Sequence, residues 1–279
     1  MINTCVDKTQ NYVGVIMGWL ADCSESERAS ILANLAGRAY LSEKELKATE
    51  KTLKMQRSKA KFIKDGDAEA WVFVTSDDAI IVSCRGTEPT KFADIAADLK
   101  TIPVRHPRNG MVHSGFYEYA NLVYDEIYAQ VKKMRKKKEN VFVVGHSLGG
   151  AMAVLVAEQL AADGIPVKEL RTFGQPRVGT RKFRQHLEGC DIGRYVRYVN
   201  NNDIVPRVPP ALFGFVHGGQ LHYINYHGNI RNFTIWQRIK DGWRGFWAAC
   251  KQFKFFDFVS DHAMPQYVEK AGNIAKLDK

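Results

Sequence analysis

Val141-Phe142-Val143-Val144-Gly145-His146-Ser147-Leu148-Gly149-Gly150 runs directly into Ala151-Met152-Ala153-Val154-Leu155-Val156-Ala157-Glu158. The first four residues form a wholly apolar run, the pattern of a strand buried on both faces. The second stretch consists mostly of helix formers and is closed by Gly164 and Pro166. Between strand and helix lies G-x-S-x-G. A strand that turns straight into a helix brings Cβ atoms at positions 145 and 149 into collision, so glycine is required at both. Ser147 is then expected in a strained conformation with its Oγ exposed. The helix that follows aims free N–H groups, Leu148 first, and its positive dipole end at charge developing on an oxyanion. Ser147 is the candidate nucleophile and Leu148 a candidate oxyanion donor.

Working outward, the segment 1–57 reads as N-terminal helices, with a start near Ser24 or Ser26 and a tight apolar face over 29–40. Ala60 to Ile63, Glu69 to Thr75 and Ala79 to Cys84 are short, β-branched or aromatic runs parted by Asp65-Gly66-Asp67 and Ser76-Asp77-Asp78, which predicts consecutive antiparallel strands. From Gly115 the pattern becomes helix (to about Lys138), strand (to Gly145), helix (to Ala162), strand (Leu170 to Gly174), helix (Thr180 to Leu187), strand (Tyr195 to Asn200). Alternation of this kind predicts an α/β fold: a central, mostly parallel sheet with helices on both faces and an antiparallel N-terminal part. With no repeat or linker, residues 1–279 read as one domain.

A serine nucleophile needs a base and an acid that orients it, and in this architecture they follow in the order Ser, Asp or Glu, His. Asp203 stands just beyond the strand Tyr195 to Asn200, at the carboxyl edge where open sheets gather their sites. An Asx-turn aspartate ahead of a proline-rich loop is the other reading of the same residue. His217, His222, His227 and His262 lie beyond it. His262, in a loop opening onto the closing helix, is the preferred base. His222 and His227 flank the strand-like Tyr223 to Tyr226 and read as surface histidines of a hairpin, His227 being second choice. The even spacing of 217, 222 and 227 lacks the i, i+4 interval of a zinc-binding helix, and no metal or cofactor is expected in the chemistry. The second oxyanion donor belongs on a loop after an earlier strand. Arg85-Gly86-Thr87 fits, with Gly86 permitting the bend, Thr87 donating and Arg85 anchoring the loop by an ion pair.

Composition excludes several classes. With 45% hydrophobic and 25% charged residues, the chain of 279 is of ordinary globular composition, and its apolar runs stop well short of a membrane span. Five scattered cysteines without a C-x-x-C pair support neither a disulfide framework nor a Cys-based zinc site, and they fit a reducing compartment. Tyr12 to Ala21, ending at Cys23, loosely resembles a lipoprotein signal, but Asp22 occupies the position where a small residue is needed. An amphipathic helix on the core is the plainer reading, and a cytoplasmic or peripheral membrane location is expected over secretion.

Gly145 to Gly150, Arg85-Gly86-Thr87, Val112 to Phe116, Thr172 to Gly179 and Asn202-Asp203-Ile204-Val205-Pro206 together resemble the class 3, or fungal-type, lipase family over roughly Lys61 to Tyr267. The resemblance implies an α/β-hydrolase-like fold and a carboxylic-ester hydrolase using Ser147, Asp203 and His262, with Thr87 and Leu148 as oxyanion donors. It implies lipid or small-ester substrates and leaves open whether these are acylglycerols, phospholipids, galactolipids or feruloyl esters; a catalytically inactive lipid-binding relative is a further alternative. Family members carry a short lid helix displaying a tryptophan, whereas Glu88 to Leu99, which aligns with it, has Ile95 at that place.

Forty Lys and Arg against 30 Asp and Glu give a net charge of +10, which raises the question of nucleic acid. No helix-turn-helix, RRM or zinc signature accompanies it, and no nucleic-acid partner is expected. Six positives over 132–138 sit at the amino edge of the following strand, away from the site. The segment 207–260 reads as a cap or interfacial insertion. Within it, 231–254 carries six positives and one acid; Arg238, Lys240, Arg244, Lys251 and Lys254 share one helical face with Asp241, and Trp236, Trp243 and Trp247 lie on the other. It is either a peripheral contact to an anionic membrane or lipid-droplet surface or a helix packed on its own core.

Overall fold

Alternation along each central strand determines the layering, since successive side chains point to opposite faces. The computed structural model describes residues 20, 23–41, 45, 60–75, 78–86, 103–135, 140–201, 203–225, 230–231 and 261–277. In chain order, helix α1 (Glu25–Arg38) precedes strands β1 (Lys61–Asp65), β2 (Ala68–Val74), β3 (Ile80–Cys84), β4 (Pro103–Arg105) and β5 (Met111–His113). Helix α2 (Ser114–Met134), strand β6 (Val141–His146), helix α3 (Leu148–Ala162), strands β7 (Val167–Phe173) and β8 (Gly179–Thr180), and helix α4 (Arg181–Glu188) follow. Strands β9 (Tyr195–Asn200), β10 (Phe215–Val216), β11 (Gln220–Ile224) and β12 (Ile230–Arg231) and helix α5 (Met264–Leu277) complete the described chain.

Eight strands form one sheet in the order β1-β2-β3-β6-β7-β9-β11-β12. The run from β3 to β11 is parallel; β1-β2-β3 at one edge and β11-β12 at the other are antiparallel. This is the architecture that the alternation of strands and helices predicts. Val141 and Val143 of β6 join a core with α2 and α3, while Phe142 and Val144 join a second core with α1 and α5. Both faces are therefore covered, as a continuous apolar strand requires. Helix α3 is buried almost all round, so its sequence shows no polar face.

Several boundaries differ from the sequence reading for physical reasons. Strand β7 starts at Val167, not Leu170, because the polar Glu169 is buried against Arg171 and breaks the apolar pattern without breaking the strand. A second sheet, β10-β8-β5-β4, is built from strands of two or three residues, too short to show any period. His222 is not a surface histidine. Its strand begins at Gln220, and its ring is buried edge-on against Tyr198 at 5.2 Å between centroids. The aligned lid 88–99, Lys136 to Lys138, His227, and the interfacial candidate beyond Arg231 lie outside the described residues. No described helix is long and apolar enough to cross a membrane.

Ser24 caps α1 in a reciprocal box with Glu27, each 3.2 Å from the other's backbone N–H or side chain. Glu25, in the first turn, then reaches the sheet, where it meets Arg194 and, at 2.8 Å, the fully buried Arg171. Arg171 also contacts Glu169 and the Tyr198 hydroxyl, the latter at 3.0 Å. Burial works against its charge, but Tyr198, Glu169 and Glu25 outweigh it and raise the guanidinium pKa. Arg171→Leu, which among the described residues leaves buried Glu169 beside the more distant Arg28 alone, is expected to cost about 3–5 kcal/mol in urea unfolding. Adding Glu169→Leu to it should restore most of that loss.

His113, at the junction of β5 and α2, stacks on Phe116 at 4.2 Å, and burial lowers its pKa from 6.5 to about 4. The unfolded chain therefore takes up this proton first, so the contribution is complete above about pH 6.5 and is lost as pH falls toward 4. In thermal melts across that window, His113→Phe should flatten the acid limb.

Candidate active site

Ser147 has φ 59° and ψ −129°, a positive-φ conformation for a residue that is not glycine. The strand-to-helix turn around it is as tight as the motif demands. A Cβ on Gly145 would stand 2.1 Å from the carbonyl oxygen of Gly149, and one on Gly149 would stand 2.3 Å from that of Cys84. The Ser147 N–H bonds to the Phe173 carbonyl at 3.0 Å, tying the turn to the end of β7. Leu148 is the first helical residue, so its N–H has no intrahelical acceptor and faces the same end.

The serine is not exposed as its motif predicts. It is fully buried, and its Oγ has no hydrogen-bond partner among the described residues. Part of the cover is the loop after β3: a Cβ on Gly86 would lie 3.2 Å from the Ser147 Cβ. Arg85, just before, pairs with Glu69 at 2.6 Å, the anchoring role expected of it. Thr87 falls outside the described residues.

Asp203 and His262 are brought together. The imidazole Nδ1 lies 2.9 Å and 3.0 Å from the two carboxylate oxygens, and both residues are buried. Asp203 Oδ1 also accepts the Val205 N–H at 2.9 Å, so the Asx-turn reading and the orienting role are two uses of one carboxylate. Tyr267 of α5 donates its hydroxyl to Oδ2 at 2.6 Å and accepts the Asn200 N–H at 3.0 Å. Burial, Asp203 and the hydrogen bond to it push the Tyr267 pKa well up, so it remains a donor. Asn200 bonds the Asp261 carbonyl at 2.8 Å, fixing the turn that carries His262. Gly174, with φ +57°, closes the group: a Cβ there would come within 2.9 Å of both Asp203 and the His262 ring.

His146 is the residue that the motif conceals. Its ring stacks on that of His262 with centroids 4.6 Å apart, its Nε2 lies 2.8 Å from the His262 carbonyl, and its Nδ1 lies 2.7 Å from the Tyr40 hydroxyl. Burial, then the neighbouring His262, lowers its pKa well below 6.5, so the ring is neutral. A carbonyl can only accept, so the proton sits on Nε2 and Nδ1 accepts from Tyr40. The position before the candidate nucleophile thus tethers the loop carrying the candidate base. Tyr40, Tyr267 and Asn200 gave no local signal, because each acts across the fold.

The family described as "Lipase (class 3)" matches residues 81–213. A lipase of Rhizomucor miehei is 38% identical over 157 residues, which is 53% of this chain and 42% of that protein. A secreted mono- and diacylglycerol lipase of Malassezia globosa is 31% identical over 54% of this chain and 50% of its own length. The chain thus spans about half or less of these two curated relatives. Among solved structures, a deletion mutant of the Rhizomucor miehei lipase propeptide complex aligns with TM-score 0.66 and 31% identity, covering 75% of this chain and 70% of that one. A triacylglycerol lipase described as having a serine protease triad at its catalytic centre aligns with TM-score 0.65 and 28% identity, covering 78% and 91%.

His146→Phe keeps the stacked ring but removes both hydrogen bonds. Labelling of Ser147 by a fluorophosphonate should slow about tenfold to a hundredfold while the melting temperature changes little, the size expected when a reacting group is displaced by about an ångström. Undiminished labelling would reduce His146 to a packing residue.

Proposed function

The chain belongs to the class 3 lipase family, and on that premise we propose that it is a serine carboxylic-ester hydrolase acting on acylglycerols or related lipid esters. The observation that carries the reading is the buried Asp203–His262 pair at the sheet end where Ser147 is held at positive φ before a helix N-terminus. In this mechanism His262 Nε2 takes the Ser147 hydroxyl proton as Oγ bonds to the ester carbonyl carbon. The negative charge formed on the carbonyl oxygen is received by the Leu148 N–H and, as second donor, the Thr87 N–H. The bond to the alcohol then breaks as His262 returns the proton to it. Water, deprotonated by the same imidazole, attacks the acyl-enzyme and releases the acid. Asp203 holds Nδ1 protonated and offsets the transient imidazolium charge. The cycle balances with no metal or cofactor.

A lipid substrate is supported by exposed apolar side chains on the chain that follows Asp203. Ile204 is 48% exposed, and Leu212 and Phe213, on a short turn further along, are 92% and 59% exposed. Large apolar side chains left in solvent this close in sequence to Asp203 suit contact with an apolar ligand. The relatives named mono- and diacylglycerol lipases favour neutral glycerides. The basic, tryptophan-bearing sequence 231–254 favours a second reading, phospholipase action at an anionic surface.

Ser147→Ala should fold normally, lose fluorophosphonate labelling and lose about 10⁶-fold in hydrolysis of a short-chain ester. Retained activity would remove the serine from the mechanism. A panel of mono-, di- and triacylglycerols and phospholipids, presented on neutral and anionic vesicles, separates the two substrate readings by relative kcat/KM.

A further inference from the structure

A second group of chemically capable side chains lies far from Ser147, and the hydrolytic mechanism does not use it. Glu158 sits on α3 about 15 Å along the helix axis from the serine end, at 1.5 Å per residue. Its side chain is fully buried. Two other elements converge on it. His106, just after β4, places Nε2 3.4 Å from Glu158 Oε2; His186, on α4, places Nε2 2.6 Å from Oε1. Cys190, two residues beyond α4, stands beside the group: its thiol donates to the His186 carbonyl at 3.4 Å, with Sγ 3.7 Å from His186 Nε2.

His106 is the odd member. It is 1% exposed, and neither ring nitrogen makes a hydrogen bond among the described residues. Leaving buried imidazole nitrogens unsatisfied is costly, and such a group calls for a ligand. The ring is held edge-on by Phe183 and Tyr117, with centroids 4.9 Å and 5.7 Å away. Its loop is closed by a 3.0 Å bond from the His106 N–H to the Gly110 carbonyl. The orientation of Nε2 toward Glu158 is thus imposed by packing.

We propose that His106, Glu158 and His186 form a three-ligand site for a divalent transition-metal cation of the zinc class, their donor atoms all lying within 4.8 Å of one another. Two imidazoles and a carboxylate are donors that such an ion takes, with a fourth position left for water. Bonds of roughly 2.0–2.2 Å in a tetrahedron set ligand atoms about 3.4 Å apart. The His106–Glu158 separation of 3.4 Å already matches; the 2.6 Å His186–Glu158 hydrogen bond must open slightly and surrender its proton. The Glu158 carboxylate offsets part of the charge of the ion. Arg108, 3.3 Å and 3.5 Å from the two Glu158 oxygens, is balanced by Asp163 at 3.5 Å, so this surrounding pair is neutral. The ion would pin α4 and the loop after β4 to the buried helix that carries Ser147, a structural role with no part in ester hydrolysis.

The test uses untagged full-length protein stripped with a chelator and titrated with Zn²⁺ and Co²⁺. One ion per chain is expected, with a melting temperature several degrees higher on Zn²⁺ addition. The Co²⁺ form should show d–d absorption of tetrahedral intensity. His186→Gln and Glu158→Gln should each weaken affinity at least a hundredfold, whereas Cys190→Ser should bind as the parent does. His262→Ala should bind the metal as the parent does. Folded parent protein that takes up no Zn²⁺, or uptake unaffected by His186→Gln, would overturn the site and leave only a buried imidazole–carboxylate cluster.

Discussion

The strand-to-helix reversal at 145–149 is the constraint on which the rest of the molecule depends. Gly149 packs where any Cβ would enter the backbone of Cys84 and Arg85, and Gly145 where any Cβ would enter Gly149. These contacts fix the distance between β6, β3 and α3 at once. They hold Ser147 at positive φ, bring the loop after β3 against it, and aim the first turn of α3 at the same point. The strain of one residue is sustained because three backbone segments over-determine it.

Opposite the turn, the candidate base is positioned from two directions. Asp203 and Tyr267 hold the His262 ring through Nδ1, while His146 holds its backbone through the carbonyl. Because His146 belongs to β6 itself, the loop carrying His262 is referenced to the strand that leads into Ser147, not only to the more distant β9. The network continues outward through Tyr40 to Arg85, which lies over the Tyr40 ring and pairs with Glu69. Neutral His146 suits this position, because a second charged imidazole 4.6 Å from His262 would oppose the positive charge that a base must take up.

Fold class and the Asp203–His262 pairing were legible because both rest on local pattern: alternating strands and helices, a glycine-flanked turn, an acid at a strand end. What was not legible acts over long sequence separations. His222 reads as a surface residue until the parallel pairing of β11 with β9 sets its ring against Tyr198. The small β10-β8-β5-β4 sheet has strands too short for any period to register. Burial of Ser147 depends on a loop from another strand, which its own motif cannot report. His146 occupies a position that the G-x-S-x-G pattern leaves unspecified, and its partners are 106 and 116 residues away.

Helix α3 joins these observations. Its N-terminal half is apolar and serves the serine; its C-terminal half carries Glu158 and Gln159, polar yet buried. Burial alone would raise the carboxyl pKa of Glu158, but His106, His186 and Arg108 together outweigh it and hold the group ionised. Gln159 is satisfied by Asn121 of α2 at 3.0 Å, while Asp163, just past the helix end, takes the Tyr124 hydroxyl at 2.6 Å. The helix is therefore oriented at one end by backbone sterics and at the other by charge and hydrogen bonds to α2, α4 and the loop after β4. A helix with an apolar surface all round could rotate or slide in its core with little penalty. Polar anchors at the far end remove that freedom, and they do so at a distance from the strained turn at Ser147.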